Sequence, residues 1–176
     1  MMPPDEPDIA LHMPALELAA SKARFIIELG CGDGHGSMRA LTAGFRKSPN
    51  AELYVSVDLR TDRPKYGLPA EDWWHLVHGD TGDRTTVESA REIAGGRVAD
   101  LIFIDTNHTY EHLSRELAIW GELANRSTVW LFHDTWMGGS YQRMTDAIKE
   151  YASLRRLQYM DLSQECNGLG WMSCGC

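Results

Sequence analysis

Basic residues are scarce in this chain of 176: 17 lysines and arginines face 25 aspartates and glutamates, for a formal net charge of −8 and a pI of about 5.3. A surface that neutralises nucleic-acid phosphates needs clustered Lys and Arg, so the shortage argues against nucleic acid as the substrate. The small group Lys149, Arg155 and Arg156 reads as a solvated helix end. Long apolar runs are missing too. The most apolar stretch, around Leu101 to Ile104, falls far short of the ~20 residues that span a bilayer, and no membrane helix is expected. Cysteine is sparse: Cys31, Cys166, Cys174 and Cys176 form no C-x-x-C pair. They read as reduced thiols of a cytoplasmic protein, with a disulfide or metal at Cys174 and Cys176 as the alternative. The opening MMPPDEPDIA lacks the basic start and apolar run of a signal peptide. With 43% apolar and 24% charged residues, disorder and low-complexity architecture are excluded.

What is present is an alternation. Arg24 to Leu29 is a short apolar run, rich in β-branched residues and ended by glycines, as expected of a buried parallel strand. Further strands are expected at Leu53–Asp58, Trp74–His78, Ala99–Asp105 and Thr128–His133, and helices at His35–Lys47, Asp83–Ala94, Tyr110–Leu123 and Tyr141–Tyr151. Pro14 suits the first turn of a short helix before all of these. Leu157–Leu162 and Leu169–Ser173 fit a closing antiparallel hairpin. Strands that alternate with helices need crossover connections, so the fold class is α/β: a doubly wound, Rossmann-like, mostly parallel sheet of about seven strands. The expected organisation is an arm and short helix over 1–23, then one domain over 24–176. Ligands bind beyond the carboxyl ends of such strands, and those ends carry Glu28, Asp58, Asp80, Asp105 and Asp134.

After the first strand the chain reads Glu28-Leu29-Gly30-Cys31-Gly32-Asp33-Gly34. Glycines allow a sharp turn and close approach of a ligand to the backbone, and the next helix offers free amides. The dinucleotide fingerprint is G-x-G-x-x-G, so this spacing disfavours a dehydrogenase. E-x-G-x-G-x-G instead resembles the first motif of class I S-adenosylmethionine-dependent methyltransferases, over roughly residues 24 to 134. The resemblance implies S-adenosyl-L-methionine as cofactor. Glu28, Gly30, Cys31, Gly32 and Gly34 would lie on its methionine and ribose side, Asp58 and Leu59 at the ribose, and Asp80 and Thr81 towards adenine.

The fourth and fifth strands run into Asp105-Thr-Asn-His108-Thr-Tyr110-Glu111 and His133-Asp134. This pair resembles the metal-dependent O-methyltransferases of the cephalosporin hydroxylase and macrolide-sugar methyltransferase group. By that resemblance Asp105 and Asp134 ligate a divalent cation, Mg²⁺ or Mn²⁺, with Asp105 also beside the cofactor, and His108 is the general base. The chemistry is sound on its own: a hydroxyl is a poor nucleophile until a metal lowers its pKa and a nearby imidazole takes its proton. Relatives often carry Glu-Asp where this chain has His133-Asp134, and histidine is a softer ligand. A borderline metal at His133, a site without His133, and no metal at all stay open.

The expected function is methyl transfer to a hydroxyl of a small molecule. Two alternatives remain: a metal-independent methyltransferase acting on nitrogen or another atom, and a cofactor-binding subunit without turnover. Asp105 as a mere helix cap and His108 as an ordinary loop histidine are the bland readings of those residues. Trp73, Trp74 and Trp136 are pocket candidates, whereas Trp130 is read as core; His12 is either a flap over the site or a surface residue. Only the arm before Pro14 and the Thr61–Trp74 and Trp136–Ser140 loops remain to enclose a substrate, so a homo-oligomer whose interface completes the pocket is expected.

Overall fold

A computed structural model describes residues 8–60, 69–137 and 143–175. The apolar runs form the strands expected of them: β1 Phe25–Leu29, β2 Leu53–Asp58, β3 Trp74–His78, β4 Leu101–Ile104, β5 Val129–His133, β6 Gln158–Ser163 and β7 Leu169–Ser173. They make one sheet in the order β3-β2-β1-β4-β5-β7-β6. The first five run parallel, and β7 pairs antiparallel with both β5 and β6. This is the α/β, Rossmann-like arrangement with its C-terminal hairpin. The order turns back on itself between β1 and β4, the place where such sheets open a crevice at their carboxyl ends.

Helices α1 Met13–Ala20, α2 Ser37–Phe45, α3 Arg84–Ala94, α4 Tyr110–Trp120 and α5 Arg143–Arg155 accompany the strands. One core cluster joins Ile27, Leu29, Val55 and Ile104 to Leu113, Leu117 and Trp120 of α4 and Ile148 of α5. The other joins Ile26, Tyr54 and Phe103 to Leu16 and Ala20 of α1 and Leu41 and Phe45 of α2. Successive strand residues therefore face opposite layers, as the pleat requires. Trp130 is buried as expected.

Several boundaries differ from expectation for local reasons. α2 begins at Ser37 rather than His35, because the glycine-rich loop keeps Gly36 at ψ −110°, outside the helical range. β4 begins at Leu101, since the Asp100 carboxylate turns aside to accept the amides of Arg24 (2.8 Å) and Phe25 (2.9 Å). α3 has Asp83 as N-cap, its side chain accepting from the Thr85 amide, and a left-handed Gly95 ends it. α4 gives way after Trp120 to a 3₁₀ turn over Gly121–Leu123. α5 runs a turn past Tyr151; its expected start at Tyr141, Cys176, and parts of the Thr61–Trp74 and Trp136–Ser140 loops lie outside the described residues. No helix among the described residues is long and apolar enough to cross a membrane.

Candidate active site

The loop after β1 crosses the end of β4. Gly30 has φ +84°, and a Cβ there would lie 1.9 Å from the Asp105 carbonyl oxygen, so no other residue fits. Gly32 also has positive φ (+55°), but its Cβ direction is open space. The loop is tied to β2 through the Gly32 amide, which donates to Asp58 Oδ2 at 2.8 Å; Asp58 Oδ1 accepts from the Arg60 amide at 2.7 Å. Cys31 is buried, and burial, followed by the charge of Glu28, pushes its thiol well above its usual pKa, so it is a packing residue without nucleophilic character.

Glu28 corrects the sequence reading. It does not reach the rim with the other four carboxylates. It lies inside β1, fully buried towards α2, and accepts from Ser37 Oγ (2.7 Å), Tyr54 Oη (2.6 Å) and Ser56 Oγ (2.9 Å). Burial raises its pKa to about 7 despite these bonds. Glu28 thus braces the loop from beneath. The N-cap of α2 is Gly36, which has no side chain to offer, so the first turn is uncapped and its amides stay available to an anion.

Two clefts flank the loop and share Gly30, Asp58 and Asp105. One, of about 300 Å³, continues past Leu59, Gly79, Asp80 and Thr81 to Thr106, Asn107 and His112. The other, of about 270 Å³, runs past Cys31, Gly32 and Ser37 to Asp8 and Ile9 of the arm.

Next to Asp105 lies a cluster of acids and imidazoles. His108 Nε2 is 2.7 Å from Asp134 Oδ2 and 3.6 Å from Asp105 Oδ1. His133 Nδ1 is 3.4 Å from Asp105 Oδ2 and 3.3 Å from Asp134 Oδ1, while its Nε2 meets the Cys166 carbonyl at 3.1 Å. Asp105 and Asp134 raise His108 to about 9. Burial opposes the charge on His133, yet the same two carboxylates raise it to about 10. Burial likewise works against both carboxylates, but the imidazoles hold Asp105 and Asp134 below the usual carboxylate range. Asp134 takes φ +60°, a conformation uncommon outside glycine, which Asp tolerates better than most residues. Capping of α4 falls to Thr109, whose side chain accepts from the His112 amide, so Asp105 is not spent as a cap.

Ligand atoms of Asp105, His108 and Asp134 all lie within 4.8 Å of one another, a spacing that suits one cation, and so do those of Asp8, His133 and Asp134. His133 Nδ1 and Asp134 Oδ1 are buried without a hydrogen bond to any described residue. Two hard carboxylate donors beside imidazole nitrogens fit a divalent cation such as Mg²⁺ or Mn²⁺.

The remaining candidates divide. Trp73 stacks on Tyr54 (6.3 Å, 8°) and Trp74 Nε1 donates to Ser56 Oγ at 3.0 Å, so both pack on the β2 side of the sheet and neither lines the clefts. Trp136 is half-exposed just beyond Asp134. Tyr110 donates to Glu150 at 2.5 Å, and Glu111 faces Arg143, both away from the cluster. His12 is buried, its ring 5.6 Å from that of His133 and its Nε2 2.9 Å from the Glu165 carbonyl; the arm therefore closes over the site. Sequence reading missed Glu116, which is fully buried with Thr81, Thr106 and His112 around it. The signal was there: Glu116 falls on the stripe of Leu113, Leu117 and Trp120, where a charge needs a reason.

Comparison with known proteins agrees with this geometry. A family model described as a methyltransferase domain matches residues 27–135. No curated protein matches the sequence. Among solved structures, the S-adenosylhomocysteine-bound Podospora anserina methyltransferase PaMTH1 is similar at 18% identity and TM-score 0.64, over 95% of this chain and 79% of that one. The O-methyltransferase TomG of Streptomyces achromogenes, in complex with S-adenosylmethionine, is similar at 14% identity and TM-score 0.67, over 98% and 83%. MycE of the mycinamycin biosynthetic pathway, with Mg, S-adenosylhomocysteine and mycinamycin VI, is similar at 13% identity and TM-score 0.64, over 97% of this chain and 54% of that one.

Proposed function

Because this chain belongs to the methyltransferase-domain family, we propose that it moves the methyl group of S-adenosylmethionine onto a hydroxyl of a small molecule, with a divalent cation at its acidic cluster. The observation that carries the reading is the place of Asp105. It lines both clefts and is also a member of the Asp–His cluster, so the cofactor groove and the acid–base groups meet at one side chain.

Residue by residue, the groove suits the cofactor. Asp58 has lone pairs beyond those used by the two amides, which suit a ribose diol. The uncapped start of α2 suits the carboxylate of the methionine moiety, and the open side of Gly32 leaves room for it. Asp80 and Thr81 border the cleft assigned to the base, with exposed Leu59 as an apolar flank. When bound, S-adenosylmethionine supplies an electrophilic methyl carbon, whose bond to sulfur breaks as the new oxygen–carbon bond forms. Asp105 and Asp134, with His133, would hold the cation, which would stabilise charge on the acceptor oxygen. Asp105 and Asp134 keep His108 protonated while they are free, with Nε2 2.7 Å from Asp134 Oδ2; with a cation on the two carboxylates the imidazole would be neutral and would then take the hydroxyl proton. Trp136 and the arm through His12 border the acceptor side, and MycE, solved with Mg and mycinamycin VI, supports a hydroxyl-bearing small molecule as acceptor.

Calorimetric titration with S-adenosylhomocysteine tests the cofactor half. Binding in the micromolar range is expected, with a loss of about tenfold or more in Asp58→Ala. Silence at millimolar ligand removes the reading. For the transfer itself, a panel of hydroxylated metabolites is incubated with S-adenosylmethionine and Mg²⁺ and scored by mass spectrometry for a methylated product. Methylation confined to amines would replace the hydroxyl with a nitrogen acceptor.

A further inference from the structure

The cleft beside β3 contains a buried charge that the transfer reaction does not use. Glu116, from α4, has no exposed surface. Its carboxylate accepts from Thr81 Oγ1, accepts from Thr106 Oγ1 at 2.7 and 2.9 Å, and faces His112 Nε2 at 3.1 Å. Thr81 is fixed a second time, through its carbonyl, which accepts from Trp120 Nε1 at 2.8 Å. Both threonines line the cleft.

A carboxylate has lone pairs only, and a hydroxyl has a single proton. Each threonine that serves Glu116 therefore has its proton committed to the interior. Left unsatisfied, a charge in this position would carry a large desolvation penalty, which locks both hydroxyls in that orientation. What Thr81 and Thr106 can then show a ligand is lone pairs alone. Asp58, Asp80 and Asp105 add further acceptors to the same lining; of its other polar side chains, the Asn107 amide can turn either way and His112 directs its Nε2 at Glu116. Such a wall attracts a ligand edge bearing N–H groups and repels one bearing a carbonyl.

We propose that Glu116 is a positioning residue that sets Thr81 and Thr106 as acceptors for the exocyclic amino group of adenine, so that the site selects 6-amino over 6-oxo purine nucleosides. The proposal rests on the reading that this cleft holds the base of an S-adenosyl nucleoside. It assigns α4 a part in cofactor choice, beyond its packing against the sheet.

Calorimetry with S-adenosylhomocysteine and its deaminated analogue S-inosylhomocysteine tests it without any need for turnover. The wild-type protein is expected to prefer the amino form by about thirtyfold or more, since a buried acceptor set against a carbonyl leaves both unpaired. In Glu116→Gln the amide can donate to one threonine and release that proton to the cleft. The preference should fall to about threefold or less, through weaker binding of the amino form and unchanged or tighter binding of the oxo form. Thr106→Val keeps the shape and deletes one acceptor; it should lower the preference severalfold while the oxo form binds as before, and it decides the matter alone if Glu116→Gln does not fold. Equal weakening of both nucleosides in these variants makes Glu116 merely structural and overturns the proposal. A wild-type protein that binds both forms equally well overturns it while leaving the proposed function intact. Binding of neither form removes both.

Discussion

Two buried carboxylates, Glu28 within β1 and Asp134 after β5, meet opposite fates. Glu28 is surrounded by three hydroxyls and is raised to about 7, with burial as the main cause. Asp134 is buried too, yet His108 and His133 hold it below the usual carboxylate range. Burial sets the cost of a charge, and the charge of the partner decides whether that cost is met. The contrast extends to the two halves of the site. Around β1 and β2 the polar groups are fixed by main-chain amides and hydroxyls, as Asp58 is by Gly32 and Arg60. Around β5 side chains face one another, and His133 Nδ1 and Asp134 Oδ1 lack a hydrogen bond to any described residue. The first half is a rigid holder; the second, under the proposed function, is chemistry that substrate and cation would complete.

The largest effect should come from removing the group that belongs to the second half alone. His108→Ala is expected to lower kcat by about 10²–10⁴-fold, the range for a positioned acid–base group. Its affinity for S-adenosylhomocysteine should stay within about threefold of wild type. A chelator should do the same, with turnover restored by Mg²⁺ or Mn²⁺. Loss of nucleoside binding in parallel with turnover, or turnover indifferent to the chelator, would break the division into holder and chemistry.

The next largest effect tests the rigidity of the holder. A Cβ at Gly30 meets the Asp105 backbone at 1.9 Å, where nothing can yield, and φ is +84°. Gly30→Ala should cost about 3–5 kcal/mol in urea denaturation, the range reserved for strain and overpacking in a core. Gly32→Ala should cost only about 1–2 kcal/mol, since its Cβ direction is open and only the positive φ is strained. It should nonetheless weaken S-adenosylhomocysteine about tenfold, because the added methyl enters space assigned to the ligand. Equal stability losses at the two glycines would remove the distinction drawn between them.

The holder was the more legible half in sequence. β2, β3 and β7 have the bounds expected, because apolar runs closed by Gly or Asp leave few choices of strand end. Gly30 and Asp58 could be placed at strand tips from order alone. The direction of Glu28 could not: the pleat puts it on the Ile26 face, but whether that face is ligand or helix depends on α2, which begins two residues later than its sequence suggested. His12 approaches His133 from more than half the chain away, a contact that no local pattern encodes. Glu116 lay within reach, on the buried stripe of α4; what hid it was that Thr81 and Thr106, the donors that satisfy it, come from two separate loops.

The last of these effects belongs to Glu28 and shows only as a dependence on pH. In the unfolded chain its carboxyl loses its proton near the ordinary value of 4.5, and in the folded protein near 7. Between those limits the folded state binds more protons, so this group's contribution to stability falls as pH rises through that window and is constant above it. The difference of about 2.5 units corresponds to about 3 kcal/mol for a fully buried group. Glu28→Gln has no such proton; its amide oxygen can still accept from Tyr54 and Ser56, while its NH₂ faces Ser37 Oγ. Its stability relative to wild type should therefore rise by up to about 3 kcal/mol from pH 4.5 to pH 7.5, measured by urea denaturation at each pH. Asp134 provides the opposite sign, because its folded pKa is depressed and its contribution is lost as pH falls. A Glu28→Gln difference that does not change across the window would mean that the three hydroxyls stabilise the ionised form as well as water does, and the contrast between neutral and charged partners would fail.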